Sequence, residues 1–149
     1  MQLTANIPTR AQIVNGGFVL TIAKSGTAWN KAQMGHYADK KGVYIIHSNG
    51  EILYVGKATK GQFGTFAERL RRQCQEKTSA NSKLFQALCQ CMPDSVRAYL
   101  LDLDDLDMMI DPGPMKLAAE RKALMMEQLL IGLYLPPHNR ADAEEDEDD

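Results

Sequence analysis

Two β-rich runs joined by a turn constrain the fold of this chain more than any other feature. The runs cover residues 42–46 (Gly-Val-Tyr-Ile-Ile) and 52–56 (Ile-Leu-Tyr-Val-Gly), and the segment between them contains Asn49 and Gly50. β-branched and aromatic residues favour a pleated strand, and Asn-Gly favours a tight turn. The sequence therefore predicts an antiparallel β-hairpin.

The register of this hairpin decides what its two tyrosines can do. A two-residue Asn-Gly loop would pair Ile45 with Tyr54 and would turn Tyr44 to the opposite face. A three-residue loop ending at Gly50 would pair Tyr44 with Tyr54. We favour the three-residue loop, because Gly50 suits the left-handed bulge position that such a loop requires.

The rest of the chain predicts helices, one further main strand and a short N-terminal hairpin. The hairpin is expected from 12–14 and 18–22, the helices over about 28–37, from Phe66, over 82–91 and over 115–134, and the strand over 96–101. The predicted body is an α/β fold, an α+β sandwich whose small, mostly antiparallel, three-stranded sheet is flanked by helices. Residues 1–40 are assigned to an N-terminal extension, 41–140 to the main domain and 141–149 to a tail.

Charge is distributed unevenly along the chain. The tail holds seven of the 19 acidic side chains and no basic one, whereas the remaining residues combine 17 basic with 12 acidic side chains. The whole excess of basic over acidic side chains lies between Lys57 and Lys83, where seven basic residues accompany two acidic ones. Such a local basic field favours a polyanionic partner, and the self-repelling tail is expected to be disordered.

Other patterns point away from disulfide, zinc and membrane classes. Three cysteines (Cys74, Cys89 and Cys91) form no Cys-x-x-Cys pair, so we expect buried thiols in a reducing compartment. The N-terminus lacks the apolar core of a signal peptide, and the run 129–135 is too short for a bilayer. We therefore expect a soluble, cytoplasmic protein. The acidic run 102–107 lacks the pattern of an EF-hand and is expected to provide helix caps and solvated loop.

Glu127 is the most informative single residue. It lies within an apolar helical segment, with Leu124, Leu130 and Ile131 as its neighbours. A carboxylate on such a face must be paired, be protonated or bind a cation. A salt bridge at a helix end, or a place on an exposed edge, is the structural alternative.

Four more side chains are candidates for phosphate chemistry. Arg69 lies one turn inside the helix that Thr65 caps, where free N–H groups and the helix dipole favour an anion, although a solvated basic face accounts for it equally well. Lys57 follows the second strand and is a candidate phosphate contact. Tyr44 and Tyr54 are ordinary in a sheet, and either phenol would need cationic neighbours to act as a base near neutral pH.

In order and spacing these residues resemble the GIY-YIG nuclease family. The resemblance covers about residues 41–139 and is closest in spacing to the excision-repair branch. It implies a GIY-YIG-like domain in which both phenols lie together, as the favoured register requires. The matching residues are Gly42-Val43-Tyr44, Tyr54-Val55-Gly56-Lys57, Arg69, Glu127 and Asn139.

The resemblance implies a cation and a phosphate-binding group. Glu127 would hold a single catalytic Mg²⁺ or Mn²⁺, Arg69 would neutralise the scissile phosphate, and Lys57 would contact phosphate or lower the pKa of a phenol. These groups suit phosphodiester hydrolysis, which develops negative charge on oxygen, and one carboxylate with several waters suits Mg²⁺.

The resemblance also implies roles for the tyrosines and for the end of the long helix. Tyr44 would orient or deprotonate the attacking water, Tyr54 would assist it, and Asn139 would brace the site. Three features depart from the family pattern: an insertion over 60–64, Gln73 where the excision-repair branch has a tyrosine, and His138 where tyrosine is frequent. The substitution at Gln73 puts a secondary phosphate contact in doubt.

We therefore expect a metal-dependent endonuclease that hydrolyses DNA to 5′-phosphate and 3′-hydroxyl ends. The residues do not distinguish DNA from RNA, or repair from restriction, homing and phage roles. The alternative is a non-cleaving nucleic-acid-binding or protein-interaction module on the same fold. Binding to the nucleic-acid backbone is expected from Lys57, Lys60, Arg69, Arg71, Arg72, Lys77 and Lys83.

Two partner hypotheses follow from the charge pattern and from the single predicted metal. The acidic tail would fold back on the basic face and compete with DNA, or bind a basic partner, with simple solubility as the alternative. A single metal cuts one strand, so duplex cleavage would need self-association or two successive events.

Overall fold

A computed structural model describes residues 2–24, 28–61, 64–75 and 82–139. The strands are β1 (Thr4–Ala5), β2 (Phe18–Val19), β3 (Gly42–Ser48), β4 (Glu51–Ala58), β5 (Val96–Asp102) and β6 (Ile110–Asp111). The α-helices are α1 (Arg10–Val14), α2 (Phe66–Cys74), α3 (Ser82–Cys89), α4 (Leu103–Met109) and α5 (Ala119–Tyr134), and a 3-10 helix covers Lys31–Asp39.

The main sheet has four antiparallel strands in the order β2-β5-β3-β4, and β1 pairs with β6 in a second sheet. The predicted α+β class with a mostly antiparallel sheet is confirmed in this general form. The prediction of three strands is wrong, because β2, from the N-terminal forty residues, adds a fourth strand to the same sheet. Strand β4 therefore lies at one edge of the sheet and β3 in its interior.

Both faces of the sheet are covered, and successive residues of β3 contribute to different cores. Tyr44 and Ile46 join a cluster with α2, α3 and the 3-10 helix, which we call the α2 face. Val43 and Ile45 join a second cluster with α1, α4 and α5, which we call the α5 face. This alternation follows from the two-residue period of a strand. It decides which helix each site residue can meet.

The predicted N-terminal hairpin is wrong. Residues 12–14 belong to α1, because Thr9 accepts a hydrogen bond from the backbone N–H of Gln12 while the Gln12 side chain accepts one from the backbone of Thr9. This capping box stabilises a helix start. The helix predicted over 28–37 is found as the 3-10 helix, which kinks at Gly35.

The other predicted elements are confirmed with changes at their ends. Helix α2 begins at Phe66, with the Thr65 hydroxyl accepting from the N–H of Glu68 at 3.3 Å. Helix α3 ends at Cys89, two residues before the predicted end, and α5 begins at Ala119, four residues after the predicted start. No helix in the described ranges has the length and apolar character that crossing a membrane requires.

The acidic run 102–107 is mostly helical, so the prediction that it contributes a solvated loop is wrong. Asp102 caps α4 as expected: its carboxylate accepts from the N–H of Asp105 at 2.8 Å, and the Asp105 carboxylate accepts from the N–H of Asp102 at 3.0 Å. Reciprocal bonds of this kind satisfy the free donors at a helix start. The run is therefore a structural cap.

The loop of the β3-β4 hairpin has two residues, so the predicted three-residue loop is wrong. Ser48 pairs with Glu51, and Asn49 and Gly50 both have positive φ, at 52° and 82°. These values belong to a type I′ turn, whose twist matches that of the flanking strands.

A bulge then changes the register again. His47 pairs with Ile52 but Ile46 pairs with Tyr54, so Leu53 is an extra residue on β4. Beyond the bulge, Tyr44 pairs with Gly56, and the predicted pairing of Tyr44 with Tyr54 is wrong. Because the bulge shifts β4 by one residue, Tyr54 nevertheless faces the same side of the sheet as Tyr44.

Candidate functional site

The candidate site is built around Tyr44 on the interior strand β3. Its side chain is fully buried on the α2 face. The ring passes over Gly56, its partner on β4: a Cβ at position 56 would lie 2.5 Å from both Cζ and Oη of Tyr44. Because this separation is far inside van der Waals contact, Gly56 provides the space that the phenol occupies.

Tyr54 completes an aromatic pair with Tyr44. The ring centroids lie 6.1 Å apart, with the ring planes inclined by 39°. This distance is within the range over which aromatic rings attract each other. The structure therefore brings the two tyrosines singled out in the sequence into one buried cluster.

Gln73 on α2 holds the hydroxyl of Tyr44. Its amide Nε2 donates to Tyr44 Oη at 3.1 Å, and the Gln73 side chain is buried. The amide oxygen, Oε1, is buried without a hydrogen-bond partner in the described part of the chain. The sequence marked Gln73 only as a departure from the family pattern. Its contact with Tyr44 depends on the packing of α2 against the sheet, which no local pattern reports.

Arg69 lies one turn before Gln73 on the same side of α2. It is the fourth residue of the helix and is only 6% exposed. The alternative of a solvated basic face therefore does not describe this arginine, although it describes Arg72. Arg72 is exposed, and Arg71 donates to the Glu68 carboxylate at 2.8 Å. Arg69 thus combines burial with a position near the positive end of the helix dipole.

Asn139 is bound to the free edge of β4. Its side-chain oxygen accepts from the N–H of Val55 at 2.6 Å, and its side-chain nitrogen donates to the carbonyl of Val55 at 2.8 Å. The backbone N–H of His138 donates to the carbonyl of Leu53 at 3.2 Å. Together these bonds satisfy edge groups that a sheet otherwise leaves open. Asn139 thereby holds the strand that carries Tyr54.

Glu127 and Lys57 lie on the α5 face. Helix α5 packs on this face through Ala123, Met126 and Leu130, and Glu127, which is 7% exposed, is next to Met126. Lys57 pairs with Val43, whose side chain belongs to the same cluster, and is half-buried.

The candidate residues therefore occupy both faces of the edge strand β4. Tyr44, Tyr54 and Gln73 form the part on the α2 face, while Glu127 and Lys57 form the part on the α5 face. In the described sheet β4 has no strand beyond it, and His138 and Asn139 close its edge at Leu53 and Val55.

Glu127 offers one carboxylate, the smallest number that Mg²⁺ commonly takes from a protein. Mg²⁺ is commonly bound through one or two carboxylates and keeps several waters, and a carboxylate in such a buried position requires a cation, a partner or a proton. Within the described residues, no group of three or more His, Cys, Asp or Glu side chains is placed to hold a metal. A cation at Glu127 would therefore complete its ligands with water and substrate oxygens.

Some of the basic side chains predicted to bind the nucleic-acid backbone are exposed. Lys60, Arg72 and Lys83 are exposed. Lys77 lies outside the described residues. The exposed part of the surface is thus carried by the loop after β4 and by helices α2 and α3.

We assign structural roles to the cysteines and to the buried histidine. Burial raises the pKa of the Cys74 thiol, while Cys89 and Cys91 are half-buried. His47 is buried, and its Nε2 is 2.8 Å from the carbonyl oxygen of Gly16. Burial, followed by the positive charge of Arg97, lowers the pKa of His47, which the bond to Gly16 partly offsets.

No family model, curated protein or solved structure matches this chain.

Proposed function

We propose that this protein is a metal-dependent endonuclease of the GIY-YIG type, which hydrolyses DNA phosphodiester bonds to 5′-phosphate and 3′-hydroxyl ends. The observation that carries the proposal is the cluster of Tyr44 and Tyr54, with Gly56 beneath the phenol and α2 above it. The glycine and both tyrosines belong to the motif on which the resemblance to this family depends.

Arg69 is the proposed phosphate-binding group. Phosphodiester hydrolysis places negative charge on the non-bridging and leaving oxygens, and a preorganised guanidinium stabilises that charge. Burial of Arg69 on α2 supports this role, because a buried cation in a low-dielectric setting interacts more strongly with an anion than a solvated one does.

The phenols are proposed to act on the attacking water. Tyr44 would orient the water or accept its proton, and Tyr54, 6.1 Å away between ring centroids, would assist it. Asn139 would keep β4, and with it Tyr54, in place through its two bonds to Val55.

The α5 face is proposed to supply the cation. When bound at Glu127, Mg²⁺ or Mn²⁺ would supply Lewis-acid stabilisation of the phosphate. Lys57 would contact phosphate from the same face of β4. The exposed Lys60, Arg72 and Lys83 would provide backbone binding that does not depend on sequence.

Metal-dependent cleavage tests the proposal directly. Supercoiled plasmid and branched or flapped oligonucleotides are incubated with Mg²⁺, Mn²⁺ or a chelator. Arg69→Ala and Glu127→Gln are expected to lower kcat by about 100-fold or more. The matched controls are Arg121→Ala and Glu120→Gln in the first turn of α5, both at exposed positions. Equal cleavage by the test and control variants would contradict the assigned site.

The burial of the site favours a second candidate, a nucleic-acid-binding module that does not cut. Tyr44, Arg69 and Glu127 are each more than nine-tenths buried, so a phosphate would reach them only after neighbouring groups had moved. In that case the exposed basic side chains bind the backbone. Salt-sensitive DNA binding that survives Glu127→Gln, with no metal-dependent cutting by the wild type, would identify this function.

A further inference from the structure

We propose that Gln73 is a positioning residue for Tyr44, donating a hydrogen bond that fixes the hydroxyl and favours its deprotonated form during catalysis. This inference rests on the proposed nuclease function for its catalytic consequence. The contact itself is independent of that function: Gln73 Nε2 lies 3.1 Å from Tyr44 Oη.

The direction of this hydrogen bond gives Gln73 its effect on the phenol. A tyrosine hydroxyl carries one proton and acceptor lone pairs on its oxygen. When Gln73 donates to that oxygen, the proton of Tyr44 is directed toward a different acceptor. A donor to the phenol oxygen also stabilises the phenolate more than the neutral phenol, because the bond strengthens as negative charge develops.

The position of Gln73 makes a purely structural role a poor explanation. Its neighbours Leu70 and Cys74 on α2 are fully buried in the apolar cluster of the α2 face. Gln73 itself is 4% exposed, and its Oε1 has no hydrogen-bond partner within the described residues. An apolar side chain of the same length would avoid the cost of burying that oxygen. The amide is therefore best explained by the bond that it donates to Tyr44.

The effects of other ionisable groups on the pKa of Tyr44 have to be distinguished from the effect of Gln73. Tyr54 is its aromatic neighbour, and Tyr37 and Cys74 belong to the same cluster. Arg69, one turn before Gln73, carries a positive charge that also favours a phenolate. Gln73 is uncharged and acts only over hydrogen-bonding distance, so a variant that keeps Arg69 isolates its contribution.

Titration of the Tyr44 phenol tests the contact. The full chain, labelled with carbon-13 at the tyrosine Cζ, is titrated from neutral to strongly alkaline pH, and Tyr44→Phe assigns the Tyr44 signal among the five tyrosines. Gln73→Met keeps the length of the side chain but removes the donor. It is expected to raise the pKa of Tyr44 by about one unit. Gln73→Glu, ionised where a phenol titrates, is expected to raise it further. Cys74→Ala, a buried change on the same helix, is expected to leave it unchanged.

The pH profile of cleavage tests the catalytic consequence. With Gln73→Met, the rise of kcat with pH should shift upward with the phenol titration, lowering kcat near neutral pH by about 10-fold while KM stays constant. An unchanged or lowered Tyr44 pKa in Gln73→Met and Gln73→Glu would overturn the inference. So would a shifted phenol titration without a shift in the kcat profile. If the wild type cleaves no nucleic acid, the proposed function fails, but the titration still decides the contact.

Discussion

The ring of Tyr44 fills the space in which a side chain at Gly56 would lie, with Cζ and Oη each 2.5 Å from the position of that missing Cβ. These two residues face each other across β3 and β4. The glycine in the Tyr54-Val55-Gly56 run is thereby explained by packing, in physical terms that need no reference to catalysis. It also links the stability of the fold to the position of a candidate catalytic phenol.

Gly56→Ala is expected to displace the Tyr44 ring. Overpacking of this kind should cost about 1–3 kcal/mol of unfolding free energy and reduce cleavage. Urea unfolding and the plasmid assay measure both effects. Gly132→Ala is the control, because a Cβ there meets no atom within 4 Å, and a helical alanine should add up to about 1 kcal/mol. Wild-type stability and cleavage in Gly56→Ala would contradict the packing explanation.

Asn139→Ala removes the two hydrogen bonds that close the edge of β4 at Val55. The expected loss is about 1–3 kcal/mol of unfolding free energy, since backbone groups lose their partners. Hydrogen exchange at the Val55 amide should accelerate. Asn139→Asp keeps an acceptor for that amide, so its exchange should stay slower than in Asn139→Ala. Equal exchange rates in the wild type and the alanine variant would show that the clamp contributes little.

His47 should make the protein less stable in mildly acidic solution. Burial lowers its pKa in the folded state, so the unfolded chain binds the proton more readily. The contribution of His47 to stability is complete above the unfolded pKa of about 6.5 and is lost as pH falls from there through the lower native pKa. The slope reaches at most about 1.4 kcal/mol per pH unit.

Urea unfolding across this pH range measures the effect of His47. His47→Gln should flatten the profile, whereas His36→Gln, at an exposed position, should preserve it. An identical pH dependence in the wild type and His47→Gln would exclude His47 as the responsible group.

Deletion of residues 141–149 is expected to raise affinity for DNA at low salt. The tail carries seven acidic side chains, and Asn139, two residues before it, is bound to β4 beside the candidate site. Fluorescence anisotropy at about 50 mM and about 200 mM salt measures both affinity and salt dependence. A tail of equal length with Asn and Gln in place of its acids should match the deletion. Unchanged affinity in both variants would leave solubility as the role of the tail.

The features that depend on neighbouring residues were predictable from the sequence. The Asn49-Gly50 pair predicted the hairpin, and Thr65 predicted the start of α2, because positive φ and helix capping are satisfied within a few residues. The end of α5 at Tyr134 was equally predictable from the sequence, since Pro136 cannot continue a helix. Local patterns alone were therefore enough to assign the motif residues on these elements to their strands and helices.

How the helices and strands contact one another depends on the tertiary structure. The bulge at Leu53 returned Tyr44 and Tyr54 to one face of the sheet, although the loop was not the one expected. Gln73 reached Tyr44 across 29 positions of sequence, and Asn139 reached Val55 across 84. Such contacts arise when helices pack on a sheet and bury apolar surface together. Because burial depends on every element at once, no local pattern of residues contains them.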